Sequence, residues 1–223
     1  MLKSLEQDQK DIIERIKRRA KEKHPDVGPI WDGVADINAY YHSNPRVAWI
    51  LKEPYDPDSG EGWDHPEFLA KKTVTDIESH LTWRRVNQVM YAIRNNRRFN
   101  ILETIDKNYL TDIAWLNLSK MPGKSTSSNS YKKEYYSNWS DILKEQIDAY
   151  NPNIIIFGNT FDVCKNDLFP NGCSILKKNS LVHTYKYGKQ LLLYAYHPGW
   201  WGIDDVTYVN SIMEMIENFY RII

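Results

Sequence analysis

Three polar residues of the kind used in catalysis each follow a short apolar run in this chain: Glu53, Asn117 and His197. In open α/β sheets, ligands bind beyond the carboxyl ends of the strands. If the apolar runs are parallel strands, a carboxylate, a carboxamide and an imidazole converge on one edge of the sheet. These groups can exchange protons and form paired hydrogen bonds, so they predict a site for acid–base chemistry.

The apolar runs are continuous rather than alternating in polarity, which is typical of strands buried on both faces of a parallel sheet. Between them, apolar residues such as Trp83, Val86 and Met90 recur at helical spacing. Strands that alternate with helices predict an α/β fold with a mainly parallel sheet. The predicted strands are Val47–Leu51, Ile113–Leu116, Ile154–Phe157 and Leu191–Tyr196.

The domain organisation follows from the lack of any linker or composition shift along the chain. We expect one domain over residues 1–223. Residues 1–24 carry a weaker apolar stripe among many charges. This pattern predicts a peripheral amino-terminal helix that packs across the outside of the domain.

Composition and charge exclude several protein classes. The 29 basic and 29 acidic residues give a net charge of zero, so any nucleic-acid surface must be a local patch. No apolar run approaches the ~18 residues that span a bilayer. Cys164 and Cys173 are too few for a disulfide framework or a four-cysteine iron–sulfur cluster. We expect a cytoplasmic monomer with free thiols, no membrane partner and no cofactor.

The order of these segments resembles that of the uracil-DNA glycosylase superfamily. Its members carry a strand ending in a Gly-x-Asp-Pro-Tyr-like motif, a strand ending in Asn, and a strand ending in His-Pro-Ser before an apolar residue. The counterparts here are Leu51–Tyr55, Trp115–Asn117 and His197–Trp201, and Asn151–Gly158 is similar to the family's third strand. The resemblance covers about residues 45–202. It implies a three-layer α/β/α fold around a central, mainly parallel four-stranded sheet.

The resemblance also implies an activity: hydrolysis of the N-glycosidic bond of a flipped uracil or other damaged base in single- or double-stranded DNA. Glu53 is expected to position or deprotonate the attacking water, and His197 to donate to the base oxygen as the base leaves. Asn117 is expected to hydrogen-bond a pyrimidine edge. The other predicted substrate-binding residues are Lys52, Pro54, Tyr55, Trp63, Phe68, Gly158, Asn159, Pro198, Gly199, Trp200 and Trp201.

Aromatic and basic residues complete the expected site. Tyr55, with Trp63 or Phe68, is expected to stack on the base, and Trp200 or Trp201 to fill the space that the base vacates. The residues expected to contact the DNA backbone are Lys120, Lys124 and Ser125. The histidines show no metal-ligand spacing, so no metal is expected.

Departures from the family motifs leave other functions open. Glu53 stands in place of Asp, Leu51 in place of Gly and Gly199 in place of Ser. A catalytically inactive protein of the same fold that binds nucleic acid or a nucleotide is one alternative, and a small-molecule hydrolase is another. The segment Gly123–Thr126 matches the end of a phosphate-binding loop, but Leu118 stands where that motif requires glycine.

Overall fold

A central β-sheet organises the protein. The computed structural model describes residues 2–56, 60–123 and 129–222. Within these ranges, seven strands form the main sheet: β2 (Gly33–Val34), β3 (Val47–Leu51), β5 (Ala114–Asn117), β6 (Ile154–Gly158), β7 (Ser174–Lys178), β8 (Val182–Tyr187) and β9 (Gln190–Ala195). Two short strands, β1 (Ile30–Trp31) and β4 (Trp63–Asp64), pair with each other in parallel.

Helices connect most of these strands. They are α1 (Leu2–Lys23), α2 (Ile37–His42), α3 (His65–Ala70), α4 (Val74–Ser79), α5 (Leu81–Arg94), α6 (Asn129–Tyr150), α7 (Phe161–Leu168) and α8 (Asp205–Ile222). A 3₁₀ turn, Tyr109–Asp112, precedes β5. The fold is therefore mixed α/β, as the sequence predicts.

The strand order in the main sheet is β2-β5-β3-β6-β9-β8-β7. The four central strands, β5, β3, β6 and β9, are mutually parallel, and they correspond to the four predicted strands. The mainly parallel sheet is confirmed, but four strands is too few. Strands β2, β8 and β7 extend the sheet by antiparallel pairing.

The extra strands lack the buried apolar run on which the strand prediction depended. Strand β2 has two residues in the ladder. Strand β7 is exposed along its whole length, and β8 alternates between buried and more exposed positions. Antiparallel strands that are short or partly exposed do not need a continuously apolar sequence.

Both faces of the central strands are covered by helices. On one face, Trp49 of β3 packs in a core with Val86 and Met90 of α5, and α8 joins this core. On the other face, Ile50 packs in a core that includes Leu143 of α6 and residues of α7. Burial on both faces explains why the strand runs are continuously apolar.

The amino-terminal helix α1 packs against α6. Its residues Ile12 and Ile16 are buried in a small core with Trp139 and Ile142 of α6. At the rim of this contact, the guanidinium of Arg19 donates to the carboxylate of Asp141. Helix α1 also reaches the sheet, since Leu5 is buried in the core with Ile50 and Gln9 hydrogen-bonds to the backbone of Val34 in β2.

A fully buried ion pair joins three parts of the fold. The ammonium of Lys120 lies 2.7 Å from Asp32 Oδ1, and both side chains have no exposed surface. The same ammonium donates to Gln146 Oε1 of α6 at 2.8 Å and to the carbonyl of Asn117 at 2.9 Å. Asp32 also accepts the backbone N–H of Asn117 at 2.6 Å. The pair therefore fixes the end of β5 against β2 and α6.

We expect Asp32→Ala to lower the free energy of unfolding by about 3–5 kcal/mol, because it leaves the Lys120 ammonium buried without a counter-charge. Denaturant unfolding measures this loss. The control is Arg98→Ala, which breaks a pair between Arg98 and Glu217 that is partly exposed to solvent. Its expected cost is under about 1 kcal/mol. Equal losses in the two variants would contradict the structural role given to Asp32.

Candidate active site

The candidate site lies where the connections of two neighbouring strands leave the sheet in opposite directions. From β3 the chain runs to α3, α4 and α5 on one face, and from β6 it runs to α7 on the other. Such a switch opens a crevice at the carboxyl ends of the strands. Leu51 pairs with Asn117, and Gly158 pairs with Ala195, at these ends.

Gly158 allows the strand ends to approach closely. A Cβ atom at this position would lie 2.5 Å from Leu51 Cδ2 and 3.1 Å from Pro198 Cδ. It would also lie 3.6 Å from the Cα atom of His197. The end of β3, the end of β6 and the segment after β9 are thus brought together, as convergence on one edge requires.

Glu53 follows β3 with its side chain completely buried. Gly123 packs directly on it, since a Cβ atom on Gly123 would lie 2.0 Å from Glu53 Cγ. Burial raises the pKa of Glu53, and the ammonium groups of Lys52 and Lys132 oppose that rise. The Lys52 ammonium lies 3.6 Å from Glu53 Oε1. A carboxylate with a raised pKa holds a proton more strongly, which is the property that a general base needs.

His197 is a neutral hydrogen-bond donor in this arrangement. The backbone N–H of Gly199 donates to its Nδ1 atom at 3.0 Å. Because Nδ1 accepts, the neutral ring carries its proton on Nε2. Burial, with the charges of Lys52 and Lys132, lowers the pKa of His197 to about 4. At neutral pH the ring therefore offers an uncharged N–H donor through Nε2.

Close packing surrounds Gly199. A Cβ atom at this position would lie 2.7 Å from Thr82 Oγ1 and 3.1 Å from His197 Nδ1. A larger side chain here would crowd both groups.

Lys132 is a site residue that the sequence analysis did not select. It lies near the start of α6, and its ammonium donates to the carbonyl of Asn159 at 3.1 Å. The N–H of Asn159 in turn donates to the carbonyl of Ala195. The charge of Lys132 lowers the pKa of both Glu53 and His197. A lysine in a polar helical segment looks like solvated surface, so no local signal could have found it.

Asn117 has a fixed backbone and an unused side-chain donor. Asp32 and Lys120 hold its N–H and carbonyl through the buried ion pair. The side chain is buried, and its Nδ2 atom has no hydrogen-bond partner in the described part of the chain. An unsatisfied buried donor costs about 1–3 kcal/mol. A ligand acceptor at Nδ2 would recover that cost, so Asn117 is suited to reading a polar edge.

Arg85 holds the loop that carries His197. Its guanidinium is buried and donates to the carbonyls of Pro198, Trp200 and Ile203. It also donates to Asp205 Oδ1 at 2.8 Å, at the start of α8. Sequence analysis had no signal for this role, because Arg85 and its acceptors are distant along the chain.

An aromatic cluster lies on β4 and α3, which follow β3 in the chain. The ring centroids of Trp63 and Phe68 are 5.0 Å apart, and His65 lies 5.1 Å from Trp115 of β5. Burial, with the charge of Lys120, lowers the pKa of His65 to about 3. The Nδ1 atom of His65 has no partner within the described ranges. His65 is a second polar group near the site that no motif selected.

The remaining predicted aromatic residues are at the surface. The exposed fractions of Tyr55, Trp200 and Trp201 are 63%, 38% and 85%. Pro54 is buried, and its carbonyl accepts the backbone N–H of Gly123 at 2.9 Å. Trp200 stacks on Tyr196, and Trp201 lies in a surface depression with Arg84 and Arg85.

Three residues were expected to contact the DNA backbone: Lys120, Lys124 and Ser125. A contact between Lys120 and a phosphate is excluded, because its ammonium is completely buried and paired with Asp32. The sequence suggested a surface lysine, and only the tertiary fold reveals its buried counter-ion. Lys124 and Ser125 lie outside the described residues.

Comparison with known proteins assigns no family to the chain. No protein-family model matches the sequence, and a search of curated proteins finds no match either. The described residues contain no cluster of three or more His, Cys, Asp or Glu side chains that could hold a metal ion. None of the described helices combines the length and apolarity that crossing a membrane requires.

We expect Lys132→Met to raise the pKa of His197 above its value of about 4, because the variant removes a positive charge that disfavours the imidazolium. NMR titration of the imidazole nitrogens measures the change. Lys133→Met, at the exposed neighbouring position of α6, is the matched control and should leave the titration unchanged. The same titration in both variants would show that Lys132 does not act on His197.

Proposed function

We propose that this protein is a DNA glycosylase of the uracil-DNA glycosylase type, which hydrolyses the N-glycosidic bond of a flipped, damaged base. The observation that carries the proposal is the tautomer of His197: Gly199 donates to Nδ1, so Nε2 carries the proton. A base leaving a sugar gains negative charge on its oxygen. A preorganised, neutral N–H donor stabilises such charge without needing to lose a proton itself.

In this proposal Glu53 supplies the carboxylate that activates the attacking water. Its buried carboxylate accepts a proton as water attacks the sugar carbon, and the bond to the base breaks with both electrons on the base. The products are a free base and an abasic sugar. Negative charge on Glu53 also stabilises the positive charge that develops on the sugar.

Three other features support this assignment. The buried Nδ2 donor of Asn117 has no partner among the described residues, which suits it to the acceptor on a pyrimidine edge. Lys52 and Lys132 place positive charge near both Glu53 and His197, which favours an anionic leaving group. Tyr55 has a largely exposed ring beside Glu53 that can stack on the base, and Trp200 or Trp201 can fill the space left in the strand.

An abasic-site assay tests the proposal. Oligonucleotides carrying uracil, hypoxanthine, xanthine or an oxidised pyrimidine are incubated with the protein and then cleaved with alkali. We expect release from at least one substrate. Glu53→Gln should lower the rate by roughly 10²–10⁴-fold and His197→Ala by roughly 10²–10³-fold. Glu61→Gln, an exposed carboxylate in the same loop, is the matched control and should keep the wild-type rate.

Each outcome of this assay decides between functions. Release that is equally fast in the Glu53 and His197 variants would contradict the proposed roles and indicate a contaminating enzyme. No release from any substrate, with DNA binding intact, would favour the catalytically inactive nucleic-acid-binding protein. No release and no DNA binding, with binding of free nucleosides or nucleotides, would favour the small-molecule hydrolase.

We also expect the rate to fall on the acid side of its pH profile as Glu53 takes up a proton. Because burial raises the pKa of Glu53 above 4.5, this fall begins at a higher pH than for an exposed glutamate. Lys52→Met should move the fall to still higher pH, since it removes a charge that favours the carboxylate. Lys71→Met changes an exposed lysine on the protein surface and should leave the profile in place. A profile that Lys52→Met does not shift would remove Glu53 as the titrating base.

A further inference from the structure

The border of the site carries a set of exposed aromatic rings, which we call the aromatic rim: Tyr55, Tyr131, Tyr196 and Trp200. Their exposed fractions are 63%, 55%, 43% and 38%. Large apolar side chains with this exposure mark binding surfaces when they are grouped rather than scattered. Their grouping follows from the contacts of each ring with the site.

Tyr196 and Trp200 form a stacked pair on either side of His197 in the sequence. Their ring centroids are 4.4 Å apart, and the ring planes are inclined by 24°. The backbone N–H of Trp200 donates to the carbonyl of His197 at 2.9 Å. The pair is therefore held to the same loop as the catalytic imidazole.

Gly202 supports the pair from the side of Trp200. A Cβ atom on Gly202 would lie 2.4 Å from the Trp200 ring. The hydroxyl of Tyr208 donates to the carbonyl of Tyr196 at 2.9 Å, which fixes the backbone of Tyr196. Trp200 thus lies between Gly202 and Tyr196, and the ring of Tyr196 remains largely open to solvent.

Tyr131 continues the aromatic rim on α6. It stacks with Tyr135 at a centroid distance of 6.3 Å. Burial is the main cause of the raised pKa of Tyr135, and the charge of Glu53 raises it further. Lys132 is next to Tyr131 in the chain, and its ammonium donates to the carbonyl of Asn159. The N–H of Asn159 donates to the carbonyl of Ala195, the residue before Tyr196. These hydrogen bonds connect the start of α6, which carries Tyr131, to the strand end that precedes Tyr196.

We propose that the aromatic rim binds single-stranded DNA in preference to duplex, with a nucleotide next to the target base stacked on Tyr196. Every base has a π-face, so exposed aromatic rings bind unpaired bases of any sequence. In a duplex those faces are occupied by neighbouring bases and are not available. This inference rests on the proposed function, which supplies DNA as the partner.

The charges near the site favour the same partner. Duplex binding is dominated by exposed lysine and arginine side chains that neutralise many phosphates. Here Lys52 and Lys132 are largely buried beside Glu53, and Arg85 is buried against carbonyl groups. A whole-chain net charge of zero supplies no additional attraction. Stacking on exposed rings is therefore the contribution in which single-stranded and duplex DNA are expected to differ.

The test measures binding of an undamaged, labelled oligothymidine and of its duplex by fluorescence anisotropy. We expect the single strand to bind more tightly. Tyr196→Ala should weaken single-strand binding by roughly tenfold. Tyr196→Phe keeps the ring and should retain the affinity. Tyr220→Ala removes an exposed ring on α8 and is the control that should bind like the wild type.

Tyr196→Ala is expected to fold, because Tyr208 bonds to the backbone rather than to the side chain of residue 196. Thermal unfolding checks this, and Tyr196→Phe provides a second variant. Duplex binding as tight as single-strand binding, or full affinity in Tyr196→Ala, would overturn the inference.

Because the oligonucleotide is undamaged, this result is independent of catalysis. If single-strand binding depends on Tyr196 but the abasic-site assay shows no base release, the binding inference is supported and the glycosylase proposal is contradicted. If bases are released but single-strand binding does not depend on Tyr196, the glycosylase proposal is supported and the binding inference is contradicted.

Discussion

The ion pair between Lys120 and Asp32 is the interaction on which the candidate site most depends. Both groups are fully buried, so the charge of each is tolerable only because the other is present. Their shared hydrogen bonds to the backbone of Asn117 hold the end of β5 in place. With the backbone fixed, the buried Nδ2 atom of Asn117 has no hydrogen-bond partner within the described ranges, so an acceptor on a ligand would satisfy it.

Burial also sets the chemistry of the two central groups, in opposite directions. It raises the pKa of Glu53 and lowers that of His197, because it disfavours the charged form of each. The positive charges of Lys52 and Lys132 lower both pKa values. They therefore keep Glu53 closer to its ionised form and His197 more firmly neutral. One carboxylate and one neutral imidazole are the pair that the proposed base release requires at neutral pH.

Close backbone packing makes this pairing possible. Gly158, Gly123 and Gly199 each lie where a Cβ atom would clash with a neighbouring group of the site. Gly158 lets the strand ends approach each other, and Gly123 covers Glu53. Gly199 packs against the ring of His197. The glycine at position 199 and the burial of Glu53 are thus parts of one compact arrangement.

The sequence by itself determined the four parallel strands and the edge where Glu53 and His197 lie, because buried strands need continuous apolar runs and their carboxyl ends share an edge. Strands β7 and β8 were not predictable, since antiparallel strands with solvent-exposed positions tolerate polar residues. Only the tertiary structure decided that Lys120 is a buried structural cation and that Lys132 belongs to the site. Both assignments depend on partners distant in the chain, and burial against such partners leaves no local pattern in sequence.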